Sequence, residues 1–217
     1  MALDHRRSNV ITKSTSGYLG VNIGVPQRFI LGPVLFLLYI DDITKMFNSG
    51  EVAVTMYADD TSFLESARND TSLRVECSEV VEKAVGWFCR NSLHLNFDKT
   101  SYIRFHPYQK RTTGLQIGTE RWSIAPAESI KFLGLYLDEH LDFKNHCSNL
   151  ISKIHGACFL FRSLRHILTT PQILGLYYAH VESRLRYGVA FWGLSTLSKN
   201  VFLSQKKGTQ VRCWYTG

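Results

Sequence analysis

The chain has 217 residues, 45% hydrophobic and 20% charged, a composition that builds a core and excludes wholesale disorder. The formal charge is +7, and the longest apolar run, Val34 to Ile40, is too short to span a bilayer. Met1 to Arg7 has no apolar stretch behind its basic pair, which argues against a signal peptide and makes an intracellular protein the expectation.

Residues 8–24 read as two short β-rich runs around Gly17. From Pro33 to Met46 the pattern becomes helical, with Val34, Leu35, Leu37, Leu38 and Ile43 apolar at helical spacing and Pro33 suited to a first helical position. After Asn48-Ser49-Gly50, the alternation of Val52, Val54 and Met56 predicts a strand, and Ser62-Phe63-Leu64 predicts its return. Between them stands Tyr57-Ala58-Asp59-Asp60, a hairpin tip with two carboxylates. Asp70 or Thr71 is placed to cap the next helix, whose apolar stripe is Leu73, Cys77, Val80, Val81, Ala84, Val85 and Phe88. Tyr102–Phe105, Leu115–Ile117 and Lys131–Leu137 read as further strands, giving an α+β unit over residues 1–141: a mostly antiparallel sheet backed by helices.

Near Asp142 the character changes. Residues 143–167 and 171–187 read as two helices separated by Thr169-Thr170-Pro171, a capping threonine followed by a helix-starting proline. A third helix is expected from Ser198 to about Val211, so residues 142–217 form a second, helical region. That region carries 10 Lys and Arg against 2 Asp and Glu, a net +8, while the first two thirds are close to neutral. A localised basic surface suits a polyanion such as nucleic acid, and charge alone equally allows a merely soluble basic helical surface. The five cysteines show no Cys-x-x-Cys spacing, so reduced, mostly buried thiols are expected rather than a zinc knuckle or a disulfide framework.

Adjacent aspartates at a tight turn between apolar strands repel one another, and a divalent cation removes that cost. Hard cations such as Mg²⁺ accept one or two carboxylates plus substrate phosphates, and a pair of such ions about 3.5–4 Å apart suits nucleotidyl transfer. Tyr39-Ile40-Asp41-Asp42 has the same form, but it lies within a helical pattern, where neighbouring side chains diverge by about 100°. Asp41 and Asp42 therefore read as the polar end of that helix.

Gly24-Val25-Pro26-Gln27 with Leu31-Gly32-Pro33-Val34-Leu35-Phe36 resembles the loop-and-helix motif of reverse transcriptases. Tyr57-Ala58-Asp59-Asp60 is similar to their metal-binding hairpin, and Leu95-Asn96-Phe97-Asp98-Lys99-Thr100 to the motif that follows it. Phe132-Leu133-Gly134 with Leu137-Asp138 resembles the primer-grip hairpin. Leu176-Tyr177-Tyr178, Tyr187-Gly188, Trp192-Gly193 and Gln205-Lys206-Lys207 resemble the thumb of jockey-like non-LTR retrotransposons, and all the matches come in the family's order. The resemblance implies a right-handed polymerase palm followed by a thumb. It implies Asp59 as a direct ligand of Mg²⁺ or Mn²⁺ with Asp60 beside it, and Pro26, Gln27 and Lys99 around the deoxynucleoside triphosphate. It also implies Phe132, Leu133 and Gly134 at the primer terminus, with Lys153, Arg162, Arg165, Lys206 and Lys207 along an RNA template and DNA primer. Nuclear access is implied in the same way, and Trp192 and the Tyr177-Tyr178 pair read as thumb core.

The sequence departs from the family's pattern in three places. The family's upstream palm aspartate has no counterpart in the 23 residues before Gly24, Arg28 and Phe29 stand where Gly and Ser are usual, and the thumb pattern ends at Lys207. Without that aspartate a two-ion site lacks a bridging ligand, so the isolated chain is expected to be inactive or nearly so. The alternative expectation is a non-catalytic nucleic-acid-binding remnant of a retrotransposon.

Overall fold

The computed structural model describes residues 30–47, 52–108, 115–119, 122–164 and 166–213, apart from the side chains of Thr119 and of 207–213. The expectations for residues 8–24, for Pro26, Gln27, Arg28 and Phe29, for Arg165 and for the Lys207 side chain lie outside them. Two compact units divide the chain: Met1–Thr100 with Gly114–Ala125, and Ser101–Thr113 with Pro126–Gly217.

The first unit opens with helices α1 (Gly32–Ile40) and α2 (Asp42–Met46). The single helical run expected over Pro33–Met46 is thus interrupted at Asp41. Ile40, Ile43 and Phe47 enter the core, whereas Val34, Leu35, Leu37 and Leu38 are exposed. Strands β1 (Ala53–Tyr57) and β2 (Asp60–Leu64) form an antiparallel hairpin that packs Val54, Met56 and Phe63 on that core. Helix α3 (Asp70–Arg90) closes it with Val80, Ala84 and Trp87. Its cap is Asn69, one residue before the expected pair: Asn69 is still extended, and its Oδ1 accepts from the Ser72 N–H at 2.8 Å. Strands β4 (Ile117–Thr119) and β5 (Trp122–Pro126) pair antiparallel and bury Ile117 opposite Ile124.

The second unit begins with the two-residue strand β3 (Ser101–Tyr102), so most of the strand expected over Tyr102–Phe105 is irregular. Strands β6 (Ser129–Phe132) and β7 (Leu135–Asp138) form a hairpin, and helix α4 (Lys144–Leu164) follows. Next come α5 (Thr170–Tyr177), a π-helical turn (Tyr178–Glu182) and α6 (Ser183–Arg186), which continue one another. The short α7 (Val189–Trp192) and the long α8 (Ser198–Cys213) complete it. Gln172 Oε1 accepts from the Thr169 N–H at 2.9 Å, so the expected Thr-Thr-Pro start is in place. Ile154, Phe161, Val181, Trp192 and Val201 are nearly or fully buried in this core, and Leu135 and Leu137 pack against it. That packing draws the β6–β7 hairpin into the helical unit, so a break after residue 141 falls inside a compact body.

The architecture is mixed α and β, as expected, but among the described residues the strands form small separate sheets rather than one continuous helix-backed sheet. Cys147 and Cys158 are buried free thiols, their pKa values pushed up by burial, while Cys89 is exposed. No helix among the described residues is long and apolar enough to cross a membrane.

Candidate active site and nucleic-acid interface

In the first unit the register runs from Ala53 opposite Leu64 to Tyr57 opposite Asp60, so Ala58 and Asp59 are the whole loop. A two-residue hairpin loop needs positive φ because only that twist matches the flanking strands. Ala58 supplies it at φ 53°, in a conformation that costs a non-glycine residue about 1–2 kcal/mol. The Phe63 ring meets Phe47 edge-on at 5.1 Å, fixing which face of the hairpin is inward. Tyr57, Asp59 and Asp60 are left exposed at the tip, where oxygen donors are open to a hard cation.

The second Asp-Asp pair is neutralised differently. Lys45 Nζ lies 2.8 Å from Asp42 Oδ1 and 3.2 Å from Asp41 Oδ2, all three side chains exposed. The hydrogen bond to Asp42, then that to Asp41, raises the Lys45 pKa. These aspartates are the solvated, lysine-paired junction of two short helices rather than the polar end of one. Lys99 is exposed on a turn in which both the carbonyl and Oδ1 of Asn96 accept from its N–H at 3.2 Å. The backbone there is fixed and the ammonium faces water.

In the second unit Phe132 pairs with Leu135, making Leu133-Gly134 a two-residue loop with φ of 44° and 88°. Two positive φ values are what the tightest hairpin turn requires, and leucine is a poor residue for the first. The Tyr187 hydroxyl donates to the Leu133 carbonyl, and a Cβ on Gly134 would stand 3.3 Å from the Tyr187 ring. Trp192, fully buried, donates from Nε1 to the Tyr187 carbonyl at 3.0 Å. The loop tip is thereby fastened to the helical core through Tyr187. Phe132 is half-buried, and Leu133 and Gly134 are exposed.

Beside this loop is a cleft of about 250 Å³ whose walls include Gly134, His146, Asn149, Lys153, Arg184 and Tyr187. Lys153 and Arg184 bring two positive charges to it. Burial, then the Lys153 charge, pushes the His146 pKa down. Its Nδ1 accepts weakly from the Tyr136 N–H at 3.5 Å, which leaves the proton of the neutral ring on Nε2.

The expected basic contacts are not all gathered here. Arg162 is nine residues from Lys153 on α4, which places the two on opposite sides of the helix at about 100° per residue. Lys206 is exposed on α8. Arg184, Asn149 and Tyr187 are absent from the expected contact set. Asn149 could have been found from its i, i+4 spacing to Lys153, whereas Arg184 comes from a distant helix and carries no local signal.

Comparison with known proteins adds the family. The sequence model described as reverse transcriptase (RNA-dependent DNA polymerase) matches residues 6–137. The chain is 25% identical over 180 residues to the probable RNA-directed DNA polymerase from transposon X-element of Drosophila melanogaster, covering 81% of the chain and 20% of that protein. It is 23% identical over 185 residues to the RNA-directed DNA polymerase from mobile element jockey of the same organism, with the same two coverages. It is 22% identical over 178 residues to the retrovirus-related Pol polyprotein from type-1 retrotransposable element R1 of Bradysia coprophila, covering 79% of the chain and 17% of that protein. The chain thus spans about a fifth of the length of these curated relatives. No solved structure matches it significantly.

Proposed function

Because the chain belongs to the reverse transcriptase (RNA-dependent DNA polymerase) family, in the branch of non-LTR retrotransposons, we propose that it supplies the palm hairpin, primer grip and thumb of an RNA-directed DNA polymerase. The observation that carries the proposal is the exposed Asp59–Asp60 pair on a two-residue turn fixed by the core. Asp59, with Asp60 beside it, holds Mg²⁺ or Mn²⁺; when bound, the ion supplies Lewis-acid activation of the primer 3′-hydroxyl. The donor set fits: these carboxylates are exposed oxygen donors on a turn, whereas Asp41 and Asp42 already share Lys45. Pro26, Gln27 and Lys99 serve the deoxynucleoside triphosphate. Phe132, Leu133 and Gly134 hold the primer end, supported by Tyr187. The helices after residue 143 act as a thumb along the backbone of the RNA–DNA duplex.

These 217 residues on their own extend primers poorly or not at all, because they contain Asp59 and Asp60 without the upstream palm aspartate. Primer extension on an RNA template, in Mg²⁺ and then Mn²⁺, beside Asp59→Asn, tests both statements. Extension that disappears in the variant supports the metal role and overturns the inactivity. Robust extension that survives in the variant overturns the role of Asp59.

A second reading, a duplex-binding remnant without catalysis, is favoured by the Lys153–Arg184 cleft and the net +8 of residues 142–217. Backbone binding of that kind weakens steeply with salt. A salt titration of duplex affinity checks it, and no binding at low salt sinks it.

A further inference from the structure

We propose that His106, Glu139 and His140 form a binding site for a divalent metal ion of the zinc class, separate from the aspartate pair and contained within the second unit. One ring nitrogen of each histidine and one carboxylate oxygen of Glu139 lie within 4.8 Å of one another. The three ligands come from two segments: the irregular stretch after β3, and the turn between β7 and α4. A backbone bond from the His106 N–H to the Glu139 carbonyl, 3.1 Å, holds those segments in register.

The hydrogen bonds set the histidine tautomers. His106 Nδ1 lies 3.1 Å from the Pro107 carbonyl, and His140 Nδ1 lies 2.9 Å from the His106 carbonyl. A carbonyl only accepts, so each Nδ1 is the protonated donor and each Nε2 is the basic nitrogen of the neutral ring. Backbone carbonyls orient metal-binding imidazoles in just this manner. His106 Nε2 then faces Glu139 Oε2 at 3.3 Å, so a ring nitrogen and a carboxylate oxygen converge on one place. A proton satisfies two such atoms. His140 brings a third donor within reach of that pair, which a metal ion can use and a single shared proton cannot.

The 3.3 Å between His106 Nε2 and Glu139 Oε2 is a distance that tetrahedral coordination spans. Bonds of about 2.0–2.1 Å to Zn²⁺ separate tetrahedral ligands by about 3.3–3.4 Å, against about 2.9 Å for adjacent octahedral ones. The His140 ring is held in place by stacking on Tyr108 at 3.8 Å, and the Tyr108 hydroxyl donates to Asp142. The Glu139 side chain is 36% exposed, which gives an ion its route in and a water its place as fourth ligand.

The test is titration of the full chain with Co²⁺, read by its visible d–d absorption, followed by displacement with Zn²⁺. The expected result is one equivalent of tetrahedral Co²⁺ without a thiolate charge-transfer band, retained in Asp59→Asn. Glu139→Gln and His140→Gln should weaken binding by at least the roughly 10–100-fold that loss of a ligand's supporting partner produces. Absence of a tetrahedral spectrum in the unmodified chain overturns the proposal without relying on any variant. So does a spectrum that persists unchanged in both substitutions, or one dominated by thiolate charge transfer.

Discussion

Gly188 sits between α6 and α7 at φ 62°, directly after the tyrosine that fastens the β6–β7 loop. A Cβ there would stand 2.8 Å from Leu135 Cδ2 and 3.2 Å from Cδ1, and Leu135 packs against the helical core. For Gly188→Ala, the left-handed backbone costs about 1–2 kcal/mol. The stiffer unfolded chain returns about 0.4–1 kcal/mol. Forcing Leu135 aside adds about 1–3 kcal/mol. The expected net loss is about 2–3 kcal/mol, a urea midpoint lower by about 1–2 M. Gly156 supplies the control. It lies on an exposed stretch of α4 with nothing within 4 Å of its would-be Cβ, so Gly156→Ala should stabilise the chain by about 0.5–1 kcal/mol. Urea unfolding of both variants, followed by far-UV circular dichroism, gives shifts of opposite sign. Equal signs, or a loss below about 0.5 kcal/mol for Gly188→Ala, would refute the reasoning.

Ile154, fully buried in the same core, should cost about 2–5 kcal/mol when cut to alanine, measured in the same urea assay. Asn69→Ala removes the α3 cap and should cost about 1 kcal/mol, with a matching drop in midpoint. Lys153→Gln and Arg184→Gln should each lower the slope of log affinity against log salt for duplex by about 0.7–0.9, and unchanged slopes in both would remove the cleft from the interface. His146 is buried with its pKa below the ordinary imidazole value, so its contribution to stability is complete above about pH 6.5. It is lost as the pH falls through the lower folded value. His146→Gln should flatten that acid limb in pH-dependent melting, and an unaltered limb would refute the assignment.

The helical region was legible because its signals are local. Thr169-Thr170-Pro171 starts a helix by its own chemistry, and the helices expected over 143–167 and from Ser198 to about Val211 match α4 and α8 to within a few residues. The Asp59–Asp60 tip was legible for the same reason, since Val54, Met56 and Phe63 alternate on either side of it. What escaped depends on partners far along the chain. Trp87 is buried in the first unit's core, yet it stood outside the apolar stripe read from α3. The β6–β7 hairpin joined the helices because Leu135 and Leu137 met their core, a preference that strand periodicity does not carry. Arg184 reaches the cleft from a helix 31 residues after Lys153, and His106 meets Glu139 across 33 residues. No window of local pattern holds either pair.

Positive φ at non-glycine positions ties these separate places together. Among the described residues it occurs at Ala58, Ser92, Leu133, Leu141 and Phe143. Ser92 lies just past the end of α3, where a left-handed residue commonly stops a helix. The others are one residue from the candidate metal ligand Asp59, within the β6–β7 loop, and one and three residues after His140. Each costs about 1–2 kcal/mol and persists only where the surroundings impose it. The surroundings do so visibly: five paired positions close the β1–β2 tip, and Tyr187 holds Leu133. At the third place both Asp138 oxygens accept, from the N–H groups of Asp142 at 2.8 Å and Lys144 at 3.1 Å. Positive φ at alanine, leucine and phenylalanine thus marks the two hairpin tips and the β7–α4 turn as places where the backbone direction is imposed by the fold rather than by the residue. Relieving the strain tests this: Ala58→Gly frees the backbone at the aspartate tip without removing any buried surface, so the hairpin should gain stability while its carboxylates lose their fixed aim.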